Sequence, residues 1–203
     1  MRGRFISFEG GEGAGKSTQV VRLAARLRAR GVDVVESREP GGTPGAEAIR
    51  ALFVTGSADR WTAQTDALLV TAARADHVAR LIAPALAAGQ WVLCDRYVHS
   101  TLAYQGHGKG LSLDMLTAMH RFACADLWPD RVLWLDLPVE AGLARAAQRR
   151  GTPDRFETHQ LDFHQRVRAG FAAMAAEDAR FARIDATADV DVVEAAIAAV
   201  LAA

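Results

Sequence analysis

The sequence predicts an α/β protein in three layers, a five-stranded parallel sheet with helices on both faces. Short β-type runs alternate with helix-period segments along the whole chain. The runs are almost continuously apolar, as in strands covered on both faces. Polar, glycine-rich stretches fall directly after the strands, where open sheets of this kind gather their ligands. The 203 residues are 50% hydrophobic and 24% charged, enough apolar surface for a substantial core. That length fits a single domain, residues 1–203.

Phe5–Phe8 is the first strand, stopped by Gly10-Gly11. Ser17–Arg30 carries Val20, Val21, Leu23, Ala24 and Leu27 at helical spacing and closes at Gly31. Val32–Val35 is the second strand. The loop Glu39-Pro40-Gly41-Gly42 follows, with a helix over Ala46–Phe53 that Thr43-Pro44 starts well. A long helical segment over Thr62–Ala87 is expected to kink or break at Pro84. Trp91–Cys94 is a buried strand, followed by loop as far as Gly110 and a helix near Leu113–Ala123. Val132–Leu135 is the fourth strand, and Pro138 opens the next helix. Arg149–Arg155 interrupts the pattern before a helix over Glu157–Ala176. Phe181–Ile184 and a helix over Val190–Leu201 complete it.

Composition excludes several classes. Lys+Arg and Asp+Glu are both 24, so no basic field points to nucleic acid. Cys94 and Cys124 make no disulfide framework, and His159 and His164 fall on different helix faces, without metal-ligand spacing. The apolar stretch Leu81–Cys94 is broken by Pro84, Gly89 and Gln90, so no membrane span is expected. The start MRGRFISFEGG reaches a glycine loop too soon for a signal peptide, and a cytoplasmic location is expected.

Between the first strand and first helix, Gly10, Gly11, Glu12, Gly13, Ala14, Gly15, Lys16, Ser17 and Thr18 contain G-x-x-x-x-G-K-[ST], a P-loop. Its glycines let backbone N–H groups point at phosphate oxygens, and the helix N-terminus adds partial positive charge. Lys16 supplies a point charge to the β- and γ-phosphates, and the Ser17 hydroxyl can ligate Mg²⁺. The ligand is a nucleoside triphosphate with Mg²⁺. A guanine-reading Asn-Lys-x-Asp is missing, which removes the switch GTPases. Asp95 and Arg96 end an apolar strand beside this loop, where Asp95 can hold Mg²⁺ through water and Arg96 a phosphate. Arg50, in the helix after Thr43-Pro44, can face the same pocket.

Further pieces extend this reading. FEGGEGAGKST at 8–18, REPGGT at 38–43, AAR at 72–74, DRY at 95–97 and STLAYQG at 100–106 run in order. They are followed by DRFE at 154–157, by Phe163, Arg166 and Val167, and by IDAT at 184–187. Together they resemble the thymidylate kinase family over nearly the whole chain. The resemblance implies a nucleoside monophosphate kinase-like fold, phosphorylation of dTMP by ATP with Mg²⁺, and a homodimer formed through helices around 43–54 and 62–87. It implies that Arg96 and Arg50 clamp the dTMP phosphate, with Glu39 nearby to orient these arginines, and that Arg74 meets the thymine carbonyl. Ser100, Thr101 and Gln105 would line the base pocket, Tyr104 would exclude a 2′-hydroxyl, and Glu12 would approach the 3′-hydroxyl. One branch of the family carries an arginine where this chain has Gly13. This chain resembles the other branch, with catalytic arginines in a lid near 145–157, here Arg149, Arg150 and Arg155. The family usually stacks an aromatic residue on thymine where this chain has Val70. The alternatives are a kinase for another pyrimidine nucleotide or a deoxynucleoside, and a P-loop binding or switch protein without transferase activity.

Overall fold

The structure, a computed structural model, describes residues 2–57, 59–148, 156 and 159–202. Five strands form one parallel sheet: β1 (Phe5–Glu9), β2 (Val34–Arg38), β3 (Trp91–Asp95), β4 (Arg131–Asp136) and β5 (Phe181–Asp185), in the order β2-β3-β1-β4-β5. Period-2 alternation splits the strand side chains between two cores. Ile6, Phe8, Leu93, Leu133 and Leu135 face α1 (Lys16–Arg28) and α9 (Val190–Ala202), where Leu23, Leu27 and Ile197 close the layer. Phe5, Val92, Cys94 and Tyr97 pack on the other face with Ile82, Leu86 and Leu116. Each buried aliphatic or aromatic side chain contributes about 1.5–3 kcal/mol. Register sets the position of the site. Phe8 and Arg38 both pair with Asp95, so the carboxyl ends of β1, β2 and β3 meet at one edge of the sheet.

Helix starts follow local chemistry. Thr43 accepts the Ala46 N–H at 3.3 Å ahead of α2 (Pro44–Val54), with proline in the first turn. Thr62 accepts the Thr65 N–H at 3.2 Å ahead of α3 (Ala63–His77). The remaining helices among the described residues are α4 (Ala83–Ala87), α5 (Val98–Thr101), α6 (Leu113–Cys124), α7 (Val139–Ala147) and α8 (Leu161–Glu177).

Several expectations need correction. The second strand begins and ends later than its apolar run, because β2 is an edge strand. It pairs with β3 through Glu36, Ser37 and Arg38 as well, and a one-sided ladder tolerates polar residues. Just ahead of Pro84 the regular α-helix is interrupted without a loop. A π-helical stretch, Val78–Ile82, joins α3 to α4, and the wider turn accommodates the missing proline N–H and the ring. Residues 98–108 are not loop: α5 continues into a second π-helical stretch, Leu102–Gly108. Gly108 serves packing there, since a Cβ on it would meet the Phe163 ring at 2.6 Å. Pro138 is the N-cap residue before α7 rather than its first turn. Helix α8 begins at Leu161, four residues after the expected start, and Glu157 itself lies outside the described residues.

Candidate active site

A cleft of about 1110 Å³ opens at the carboxyl ends of β1, β2 and β3. Glu12 to Thr18 line one end of it, and Arg50, Arg74, Arg96, Ser100, Thr101, Tyr104 and Gln105 the other. Of the residues assigned from the sequence, Arg149, Arg150 and Arg155 lie outside the described residues. The cleft brings together nearly all the others, from three strand ends and α2, α3 and α5.

The phosphate loop is shaped by its glycines. Gly15 caps α1 in the left-handed region at φ 86°, a conformation glycine adopts without steric penalty. Gly13, at φ 66°, lies against α7: a Cβ there would sit 2.1 Å from the Gly142 carbonyl oxygen. Lys16 is buried, and its Nζ donates to the Gly11 carbonyl at 2.7 Å and to Gly10 at 3.2 Å. Burial, with the Arg96 charge, lowers its pKa to about 8 against the pull of Asp95, Glu12 and Glu9. The Ser17 hydroxyl donates to the Asp95 carboxylate, so two oxygen donors sit side by side at the mouth of the loop. Such hard oxygen ligands suit Mg²⁺, which keeps most of its own water.

Arg96 is the hub of the other end. Its backbone lies at φ 71°, in the left-handed region, and its N–H donates to the Phe8 carbonyl at 2.9 Å. The guanidinium Nη1 donates to the Gly10 carbonyl at 2.9 Å and to Ser100 Oγ at 3.2 Å, and Nη2 donates to Glu12 Oε1 at 2.8 Å. Among these described contacts, Nε–H and one Nη2–H remain for a ligand. Tyr104 donates its hydroxyl to the same Glu12 oxygen at 2.7 Å, and Arg96 lies over the Tyr104 ring at 4.9 Å. Burial works to raise the Glu12 carboxyl, but Arg96, Lys16 and the tyrosine hydroxyl outweigh it and hold it at about 2. Glu12 is therefore an anion. Its Oε1 carries two donors, and among the described residues Oε2 is left to accept another.

Glu39, expected to help orient the phosphate-binding arginines, carries Arg74. Arg74 is 1% exposed, with Nε on Glu39 at 2.6 Å and Nη2 on Thr101 Oγ1 at 2.7 Å. His77 Nδ1 meets the other Glu39 oxygen at 3.0 Å. Burial opposes ionisation of Glu39, and the Arg74 charge with the His77 contact nevertheless lowers its pKa. Arg50 lies at the rim of the cleft with Nη1 on the Pro40 carbonyl at 2.8 Å.

Val70 lines the cleft four residues before Arg74 and is 5% exposed. Aromatic surface is nonetheless present beside it: Phe53 and Phe156 share its cluster, with ring centroids 5.0 Å apart. Gln105 is 2% exposed and its Nε2 has no hydrogen-bond partner among the described residues. A buried amide left unpaired is costly, so this group is suited to a polar ligand in the cleft.

Sequence reasoning missed Glu9, His77, Phe53 and Phe156. Glu9 is fully buried at the end of β1; burial raises its pKa to about 8, although Ser100, Arg96, the Tyr97 N–H and Lys16 all pull it down. His77 was detectable in principle, one helical turn beyond Arg74 on the same face of α3. Phe156 falls within DRFE at 154–157 without a role read from it, and Phe53 carried no local signal.

Residues 8–197 match the thymidylate kinase family. A thymidylate kinase of Caulobacter vibrioides is 53% identical over 201 residues, covering 98% of this chain and 96% of that protein. One from Rhizorhabdus wittichii is 54% identical over 188 residues, covering 92% and 90% respectively. The crystal structure of the thymidylate kinase from Ehrlichia chaffeensis superposes with a TM-score of 0.81 at 29% identity, over 99% of this chain and 100% of that one. With the parallel sheet, the P-loop and the arginine-lined cleft, these matches lead to one conclusion: the chain belongs to the thymidylate kinase family.

Proposed function

We propose that this chain transfers the γ-phosphoryl group of ATP to dTMP, giving dTDP and ADP. The observation that carries the reading is a single cleft joining the P-loop to the free donors of Arg96. A guanidinium edge opposite a triphosphate site suits an acceptor that already bears phosphate. Such an acceptor is ionised at neutral pH and needs no general base, so catalysis reduces to positioning and charge neutralisation. Lys16 supplies cation to the transferring group. Ser17 and Asp95 are the residues that would hold Mg²⁺, which when bound neutralises charge on the β- and γ-oxygens.

Arg96 and Arg50 hold the acceptor phosphate in this reading. Arg74 meets the base carbonyl, held rigid by Glu39, and Gln105 offers its unpaired amide to the base with Ser100 and Thr101 beside it. The free Glu12 oxygen accepts from the 3′-hydroxyl, while Tyr104, fixed by Glu12, leaves no room for a 2′-hydroxyl. The transition-state charge comes from Arg149, Arg150 and Arg155. That assignment is supported by Gly13, which has neither a side chain nor space for one. A homodimer is supported by large apolar side chains left exposed on three neighbouring helices. They are Leu52 on α2, Leu68 on α3, and Met115 with Phe122 (93% exposed) on α6.

A coupled ADP-release assay over dTMP, dUMP, dCMP and thymidine tests the reading. dTMP should give the highest kcat/KM and thymidine almost none. A preference for thymidine would show that Arg96 holds no acceptor phosphate.

A further inference from the structure

Glu9 falls within the stretch FEGGEGAGKST but has no role assigned above, and it lies beneath both halves of the cleft. Its carboxyl group is fully buried at the end of β1. Oε1 accepts the Tyr97 backbone N–H at 2.8 Å, and Oε2 accepts the Ser100 hydroxyl at 2.6 Å. Ser100 Oγ in turn accepts from Arg96 Nη1 at 3.2 Å. Tyr97 is the N-cap residue of α5 and makes no side-chain cap of its own, and Ser100 is the third residue of that helix. Glu9 thus performs from another strand the work that a glutamate at the third helical position does in a capping box.

This contact matters because of what precedes it. Arg96 sits in the left-handed region at φ 71°, a conformation a long L side chain avoids unless its surroundings impose it. Two anchors bracket the residue: its own N–H bonds β1 at Phe8, and the next N–H, that of Tyr97, bonds Glu9. Both come from the strand that leads into the P-loop.

We propose that Glu9 is a positioning residue: it holds the Arg96 turn in the conformation that presents the guanidinium to the acceptor phosphate. The proposal rests on the reading that Arg96 grips that phosphate. It adds that the grip is set by a carboxyl group which touches no substrate, and that β1 orders donor and acceptor subsites through one connected strand end.

The test is a double-mutant cycle with Glu9→Gln, Arg96→Ala and the pair, read by calorimetric titration of dTMP and, separately, of ATP, with a thermal melt of each protein. Glutamine keeps the shape but cannot accept both donors without turning its amide toward one of them. Glu9→Gln should weaken dTMP about tenfold and leave ATP within about twofold. In the Arg96→Ala background it should weaken dTMP no further, since the two residues act as one unit. Unchanged dTMP affinity in Glu9→Gln overturns the proposal. So does parallel weakening of dTMP and ATP, which marks a general loss of structure, and so does an undiminished Glu9→Gln effect once Arg96 is gone. If Glu9→Gln yields no folded protein, Glu9→Asp carries the same cycle, keeping the carboxyl group but drawing it back from Ser100. Normal dTMP affinity in Arg96→Ala refutes the reading beneath; weakening there but not in Glu9→Gln removes Glu9 alone.

Discussion

Gly13→Ala places one methyl group in the contact between the P-loop and α7, and its cost can be worked from the geometry. The added Cβ would lie 2.1 Å from the Gly142 carbonyl oxygen and 3.1 Å from Arg145 Cβ. The first distance is far inside van der Waals contact and involves backbone, so the loop or the helix must move. Overpacking of this kind costs about 1–3 kcal/mol. Holding alanine at φ 66° adds about 1–2 kcal/mol. The total is about 2–5 kcal/mol, and at about 2–4 °C per kcal/mol for a chain of this size the melting temperature should fall by about 4–20 °C. Gly142→Ala is the internal control. Its Cβ would meet the Glu12 carbonyl oxygen at 2.4 Å, but the residue is helical and carries no left-handed penalty, so its loss should be the smaller. Thermal and urea unfolding of both variants give the stabilities, and ADP release with dTMP shows whether the displaced loop still works. If Gly13→Ala melted within about 1 °C of the parent with normal turnover, the packing of α7 on the P-loop would be refuted. An arginine would then also fit at this position.

Other consequences concern the acceptor pocket and the buried Glu9. Tyr104→Ala should lower the deoxy/ribo ratio of kcat/KM, measured with dTMP and ribo-TMP, by about tenfold or more; an unchanged ratio would remove Tyr104 from the sugar site. Val70→Phe should overpack a cluster that already holds Phe53 and Phe156, costing about 1–3 kcal/mol without tightening dTMP. Tighter dTMP binding at an unchanged melting temperature would reverse that conclusion. Glu9 has its folded pKa raised from 4.5 to about 8, so its contribution to stability is full below about pH 4.5 and lost as pH rises through 8. The parent should therefore lose stability relative to Glu9→Gln by a few kcal/mol between those pH values, at about 1.4 kcal/mol for each step of one in pH. Urea unfolding of the pair at pH 5, 7 and 9 measures the gap, and a pH-independent difference would contradict it.

The local parts of the site were legible in the sequence. Gly10 to Ser17 specify their own backbone path and chemistry, so the loop needed no tertiary context. Asp95 and Arg96 were legible because an apolar strand ends at them. The residues around Ser100 to Gly108 read as loop because polar groups facing the cleft and two glycines obscure helical periodicity. Those side chains are chosen for the pocket and for close approach to α8, which overrides local pattern. Glu39 was expected to help orient the phosphate-site arginines; its ion pair with Arg74 was not legible, since only the fold brings α3 against the loop after β2. Glu9 was invisible for the same reason: an apolar strand ending in glutamate looks ordinary until Tyr97 and Ser100 arrive from far along the chain. The extra aromatic surface beside Val70 comes from Phe53 and Phe156, which no spacing connects.

The most direct measurement follows the transferred group itself. Parent protein and Lys16→Ala are incubated with Mg²⁺, dTMP and ATP labelled in the γ-phosphate, and the label is traced after separation of the nucleotides. The account predicts that the parent moves label into dTDP in step with ADP formation and forms almost no ADP when dTMP is left out. Lys16→Ala should do so at least about a hundredfold more slowly, a barrier increase of about 2.7 kcal/mol, while melting like the parent. Label appearing as free phosphate whether or not dTMP is present, or undiminished transfer by Lys16→Ala, would contradict it.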